Sequence, residues 1–360
     1  MVLAFMAKGK EKALKIIIFW AFIFIFIFSE TGADFESYRQ IYTAVQSGRP
    51  LNDIHGEIAF LFIMRIFSNF GFSYYAFRVI FVTIALFILF YFANKITPSP
   101  LFTFLILMLG YILYMTTIYR QLMTMAMLFG LFYYVLYKKN YIKAMICAIL
   151  AILFHISGVI GLAFIFLHLF FKLFNIRSDA ASKKYFNGLS MFILLTLAFC
   201  FRIFIYFYGS RFFYSFVGFY PETVLFSVGV LSRLVLLCLV AWQIKQGNFS
   251  EKINILYCFY FLSLFVYFAF PFELIMGRLT NNARILDIIF IPLIIVEAIK
   301  NNKVTANTRK KHKRILLKPN YNKTRAIVAS IAIFGIYWSM YIYQMLMQGG
   351  YYPFVHFIFG

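Results

Sequence analysis

The chain has 360 residues, of which 63% are hydrophobic and only 13% charged, with a mean hydropathy of +0.85. A soluble globule carries about 25% charged residues, so this composition excludes one and specifies a polytopic membrane protein. The formal net charge of +22 comes mostly from Lys and Arg flanking apolar runs, the pattern of orientation signals rather than of a nucleic-acid surface. Cys147, Cys200, Cys238 and Cys258 all fall in apolar runs without metal-ligand spacing. They read as small core residues, with no disulfide framework and no metal site.

In chain order, a Lys-rich start leads into a first apolar segment at 13–28, expected to remain as an uncleaved anchor. Further apolar segments follow near 75–94, 100–117, 121–137, 141–155, 156–174, 187–208, 222–243, 253–270, 281–300 and 326–346. Between the first two lies a short stretch, 57–70, with Glu57 at its start, Arg65 in its middle and the Asn69–Phe70–Gly71 break at its end. If it crossed the membrane, every later basic loop would change sides and the excess of cytoplasmic Lys and Arg would be lost. It is therefore read as a juxtamembrane helix within an extracytoplasmic loop, 29–74. The expected fold is all-α, a single integral membrane domain over 1–360 with eleven transmembrane helices and a basic cytoplasmic loop at 300–325. The N-terminus is expected in the cytoplasm and the C-terminus outside.

This topology separates the two kinds of cation. All twenty lysines fall on the cytoplasmic side, whereas ten of the fourteen arginines, including Arg39, Arg65, Arg78, Arg120, Arg278 and Arg284, fall in spans or on the outer face. Guanidinium is a weakly hydrated planar fork suited to bidentate phosphate or carboxylate contacts, unlike the compact ammonium of lysine. Arginine at mid-bilayer costs on the order of 2.5–3.5 kcal/mol on insertion scales, so such residues need partners or a function. A phosphorylated lipid is the simplest external partner.

Four stretches can carry chemistry. In GADFESYRQIY, residues 32–42, Asp34 can cap a helix on which Phe35, Tyr38, Tyr42 and Val45 form one apolar stripe, with Arg39, Gln40 and Thr43 pointing away. The helix either rests on the membrane or turns Asp34 and Arg39 toward a polar cavity. Residues 101–137 would make a helix of roughly 55 Å, too long for one crossing, so a break near Thr117 is expected, leaving Arg120 at the outer mouth of two spans. There it either snorkels or binds phosphate. The run 141–174 is also too long and must break at His155–Gly158, where the histidine is either a satisfied hydrogen-bonding residue or a catalyst. Lastly, Arg278, Arg284 and Asp287 follow Pro271, and Arg284 and Asp287 could simply pair three residues apart on a helix.

Taken together these residues resemble a known family. G-A-D-F-x-x-Y-x-x-x-Y after the first span, a helix led by Glu57 and followed by Gly71–Phe72–Ser73, then I-Y-R-Q-L at 118–122, F-H-I-S at 154–157 and N-N-A-R at 281–284 are similar to the EpsG family of Wzy-like polysaccharide polymerases. The similarity runs from about Ala13 to Val296. Departures fall at Thr117 and Ile118, where the family often has Asn, and at Ile58, where proline is common. A fainter similarity is to GT-C glycosyltransferases, in which Asp34, the 57–70 helix and Arg78 would take the places of an acid, a juxtamembrane helix and an arginine opening the second span.

The family resemblance implies an enzyme of the bacterial inner membrane that joins oligosaccharide repeat units carried on undecaprenyl pyrophosphate. A flippase and a chain-length regulator are the implied partner proteins, alongside membrane lipid, and no cofactor is implied. It also suggests roles. Asp34, Arg120 and His155 would be catalytic, with Asp34 or His155 as the base. Arg39, Glu57, Arg78, Arg278 and Arg284 would bind substrate. A glycosyltransferase that adds a single residue, or a transporter of lipid-linked glycans, would use similar residues and stays open at this point.

Overall fold

The computed structural model describes residues 35–97, 119–174, 188–208, 228–245, 250–269 and 286–294, together with Ile16, Ile17, Trp20 and Thr103. The described residues form helices and contain no strand. They are α1 (Phe35–Gln46), α2 (Ile58–Asn69), α3 (Tyr74–Ile96), α4 (Tyr119–Tyr133), α5 (Tyr141–Phe154), α6 (Ile160–Leu173), α7 (Gly188–Tyr208), α8 (Val228–Lys245) and α9 (Glu251–Ala269). Among the described residues, three stretches are long and apolar enough to cross a membrane: α3, the 156–173 stretch that includes α6, and α9. The expected spans at 13–28 (apart from Ile16, Ile17 and Trp20), 100–117 (apart from Thr103) and 326–346 lie outside the described residues, as does the expected break near Thr117.

At about 18 Å for twelve residues, α2 is too short to span a hydrocarbon core of roughly 30 Å. Its end is set by chemistry legible in the sequence. Gly71 takes the left-handed conformation, with φ of +75°. The Gly71 amide then bonds to the Ser68 carbonyl and the Phe72 amide to the Phe67 carbonyl, while the Phe67 and Phe72 rings meet at 5.3 Å. This glycine-terminated turn, with its apolar clasp, satisfies the last carbonyls of α2 and redirects the chain into α3. Ser73 then caps α3 by accepting from the Ala76 amide at 3.3 Å.

Helix α1 buries the stripe its periodicity predicts: Tyr38, Tyr42 and Val45 are buried. They rest on protein, however, rather than on a membrane surface. Tyr38 packs on Phe60 of α2 and Tyr119 of α4, and Tyr42 stacks on Phe77 of α3 while its hydroxyl donates to the Phe72 carbonyl at 2.8 Å. Burial raises the Tyr42 phenol above its usual pKa.

The two ends of the bundle differ in chemistry. Tyr74 and Tyr119, which begin α3 and α4, share a hydroxyl contact of 3.2 Å, whereas at the opposite end the Tyr137 hydroxyl donates to the Ile96 carbonyl. Helices α3 and α4 therefore run in the same direction. Lys95, Lys138, Lys143, Lys172 and Lys252 gather with Tyr91, Tyr133, Tyr134, Tyr141 and Tyr137 at the Ile96 end. A belt of this kind, basic and aromatic, is what membrane interfaces select. Glu57, Arg120 and His155 stand at the other end, where α2 and α4 start and α5 finishes.

The cysteine expectation needs correction. Cys147 and Cys258 are buried, but Cys200 and Cys238 are exposed. A thiol is as compatible with an apolar outer surface as with a core, so apolar context does not fix which one it faces.

Candidate active site

Glu57 stands at the N-cap position of α2 but its side chain makes no capping bond. The carboxylate reaches instead across to α4, where Oε2 pairs with Nη1 of Arg120. Nε of Arg120 donates to the Tyr38 hydroxyl at 2.9 Å, and the guanidinium carbon lies 4.9 Å above the Tyr38 ring and 5.6 Å from that of Phe60. Two of the three guanidinium nitrogens are thus fixed in direction by charge and hydrogen bonding, and the plane is held by aromatic faces. Nη2 has no partner among the described residues. At 17% and 20% exposure, the Arg120 and Glu57 side chains remain within reach of a ligand.

His155 comes to the same place from a different element. The break expected at His155–Gly158 is present: α5 ends at Phe154, a short 3-10 turn covers Ile156–Val159, and α6 follows. Nδ1 of His155 accepts from the Ser157 amide at 3.2 Å and lies 2.5 Å from the Ser157 hydroxyl. A nitrogen accepting from an amide carries no proton, so in the neutral ring the N–H is on Nε2. Nε2 is 3.9 Å from Oε1 of Glu57. The spacing between α4 and α5 is pinned one turn away, where the Thr124 hydroxyl contacts the Ala151 carbonyl at 3.1 Å.

Glu57 therefore pairs with Arg120 and faces His155, although 63 and 98 residues respectively separate it from them along the chain. The residues named from sequence divide accordingly. Arg120, Glu57 and His155 come together. Arg39 does not join them: it is 51% exposed and pairs at 3.1 Å with Glu36 on the surface of α1, an arrangement worth at most about 1 kcal/mol. Arg78 is buried at 2% exposure with its guanidinium 4.8 Å above the Phe35 ring, so it underlies the aromatic layer and does not line an open site. Asp34, Arg278 and Arg284 lie outside the described residues. Asp287 accepts from the Tyr260 hydroxyl at 2.5 Å.

A model of the EpsG family matches residues 12–308. The chain belongs to the EpsG family. This is a Wzy-like, polymerase-type family associated with polysaccharide polymerisation, a glycosyltransferase-type activity. No curated protein and no solved structure matches the chain. In this EpsG-family protein the stretch after the first apolar segment contributes Tyr38, the next helix contributes Glu57, I-Y-R-Q-L contributes Arg120 and F-H-I-S contributes His155 and Ser157. No group of three metal-ligating side chains occurs among the described residues.

Tyr38 is the candidate site residue that sequence reasoning did not name. It sits on the apolar stripe of α1, and a tyrosine there reads as packing; only its hydroxyl contact separates it from Tyr42. Tyr38→Phe keeps the ring under Arg120 and removes the Nε partner. A hydrogen bond to a charged group is worth about 1.5 kcal/mol or more, so if the chain carries the polymerase-type activity of its family the variant should be on the order of 10-fold slower at unchanged protein level. The measurement is the initial rate of glycan extension in membranes matched for protein content.

Proposed function

We propose that this EpsG-family protein polymerises oligosaccharide repeat units carried on undecaprenyl pyrophosphate, at the outer face of the bacterial inner membrane. The growing glycan is transferred to a new lipid-linked repeat. The observation that carries the reading is the Arg120 guanidinium, held on two sides by Tyr38 and Glu57, at the end of the bundle opposite the lysines. Because positive-inside orientation assigns a lysine-rich end to the cytoplasm, the Arg120 end faces outward, with the N-terminus inside.

In the reaction a hydroxyl at the non-reducing end of the incoming repeat attacks the anomeric carbon of the growing chain. The bond from that carbon to the pyrophosphate oxygen breaks, and negative charge builds on the departing lipid pyrophosphate. A preorganised guanidinium aimed at that charge lowers the barrier, because its orientation has already been fixed before reaction. Arg278 and Arg284 are the further phosphate ligands proposed from the sequence, and Asp34 and His155 the candidates for the base. Arg39, already committed to Glu36 at the surface, is removed from that group. A flippase that delivers the repeat and a regulator of chain length are the partner proteins this reading entails.

Lipid-linked glycans from cells with and without the protein, separated on a gel, test the proposal. The expected result is a ladder in its presence and a single repeat in its absence. A single band shifted by one sugar would assign the protein to single-residue transfer instead, and repeats trapped on the cytoplasmic side would make it a transporter.

A further inference from the structure

We propose that the groove along the lysine-end half of α6 binds one phospholipid with a negatively charged headgroup, its acyl chain in the groove and its phosphate on Lys172. The inference is independent of the polymerisation reaction and uses only the orientation given above, which places this end in the cytoplasmic leaflet.

The groove has a volume of about 1040 Å³, and its lining includes Ala163, Phe166, Phe170 and Leu173 of α6 and Leu262 of α9. Two residues on a helix stand about 200° apart, so Phe164 and Phe166 occupy opposite faces of α6. Phe164 packs on Phe259 of α9 with ring centroids 5.1 Å apart, which turns Phe166 and the groove outward. There Phe166 is 71% and Leu173 77% exposed. From Ala163 to Leu173 the helix rises about 15 Å, half of a hydrocarbon core of roughly 30 Å. The groove therefore matches one leaflet in depth, the length available to a phospholipid chain, and the small side chain of Ala163 stands at the end farthest from the headgroup.

Lys172 supplies the selectivity. It is the charged residue of the lining and lies in the last turn of α6. Its Nζ is 5.4 Å over the ring of Tyr141, whose hydroxyl is 3.2 Å from Nε2 of His168, one turn earlier on the same helix. The ring is held by the histidine, and the ammonium is held by the ring at the mouth of the groove. No carboxylate pairs with Lys172 among the described residues. Around it Lys95, Lys138, Lys143 and Lys252 stand at the same end, against Glu251 as the acid among the described residues there. A headgroup phosphate is the anion that arrives attached to an apolar chain, and basic sites between membrane helices on the cytoplasmic side hold such headgroups. A zwitterionic headgroup brings its own ammonium into this lysine cluster and is disfavoured by like charge.

The test is native mass spectrometry of the full-length protein, mixed in detergent with equal amounts of dioleoyl phosphatidylglycerol and dioleoyl phosphatidylcholine. Wild-type protein should retain phosphatidylglycerol about fivefold better, the fold-change equivalent to ~1 kcal/mol per basic group at an anionic surface. Lys172→Gln should remove most of that preference. Lys95→Gln, the same loss of charge at the same end but on α3, should leave it in place. Ala163→Phe, which fills the far end and keeps Lys172, should lower retention of the dioleoyl lipid. Equal retention of the two lipids by wild-type protein overturns the proposal without need of a variant. Equal losses in Lys172→Gln and Lys95→Gln overturn it by assigning the preference to the lysine belt as a whole, and full retention in Ala163→Phe overturns it by removing the chain from the groove. Undecaprenyl phosphate that displaces phosphatidylglycerol at equal concentration overturns it in favour of a polyprenyl occupant.

Discussion

Arg120→Ala should accumulate single lipid-linked repeats while the protein persists in the membrane, with extension reduced about 10²- to 10³-fold, the usual cost of one preorganised donor to developing negative charge. The loss has two sources. In the proposed reaction the pyrophosphate loses its cation, and Glu57 loses the partner that orients its carboxylate. Arg120→Lys separates charge from shape. An ammonium can still pair with Glu57, but it is a point donor and cannot serve Tyr38, Glu57 and a ligand from the fixed directions of a planar fork. The lysine variant should therefore remain well below wild type, read as the length distribution of glycans on a gel. Normal long polymer in Arg120→Ala would remove this residue from the mechanism.

The second large effect is expected at a residue without polar chemistry. Gly158 packs its backbone against the last turn of α5. A Cβ there would fall on the Ala151 carbonyl carbon, 2.5 Å from its oxygen and 2.7 Å from the Ile152 nitrogen. Those atoms belong to a helix backbone and cannot turn aside as a side chain would, so the 3-10 turn has to move. Gly158→Ala should cost about 1–3 kcal/mol or more, visible as a lower Tm in detergent. It should also slow extension disproportionately, because the turn carries His155 and Ser157, and a displacement of about 1 Å can cost on the order of 10²-fold in rate. Gly48→Ala is the control. Gly48 has a φ of +81° but open space around it, so the variant should show backbone strain of about 1–2 kcal/mol without loss of extension. Equal activities for the two variants at equal stability would show that the 3-10 turn does not position the site.

Both predictions concern places the sequence pointed to for different reasons. The break at His155–Gly158 was legible because a run of apolar residues from 141 to 174 exceeds one membrane crossing, and hydrocarbon thickness is a fixed ruler. Arg120 stood out because a cation in apolar surroundings demands a partner. The identity of that partner was hidden. Glu57, read as a substrate-binding residue, is bound to Arg120 through one oxygen, and nothing in a local window relates residues 57 and 120. Arg39 points away from the buried stripe as its periodicity predicts, and its partner there is Glu36. It is one residue from Tyr38, but on a helix that is a rotation of about 100°, so burying Tyr38 against α4 turns Arg39 to the surface.

The sequence by itself determined that this chain is helical and membrane-embedded, that its family is EpsG, and that the lysines are set apart from Arg120, Glu57 and His155. Each of these follows from composition, periodicity or motif order, which are properties of the chain read along its length. Only the tertiary structure decided that Glu57 pairs with Arg120 and faces His155, that Tyr38 holds the guanidinium, and that Arg78 is buried against the Phe35 ring. Those facts depend on how the ends of α1, α2, α4 and α5 meet. Packing of side chains between helices sets that meeting, and helical periodicity constrains which face each residue occupies but not which helix that face will touch.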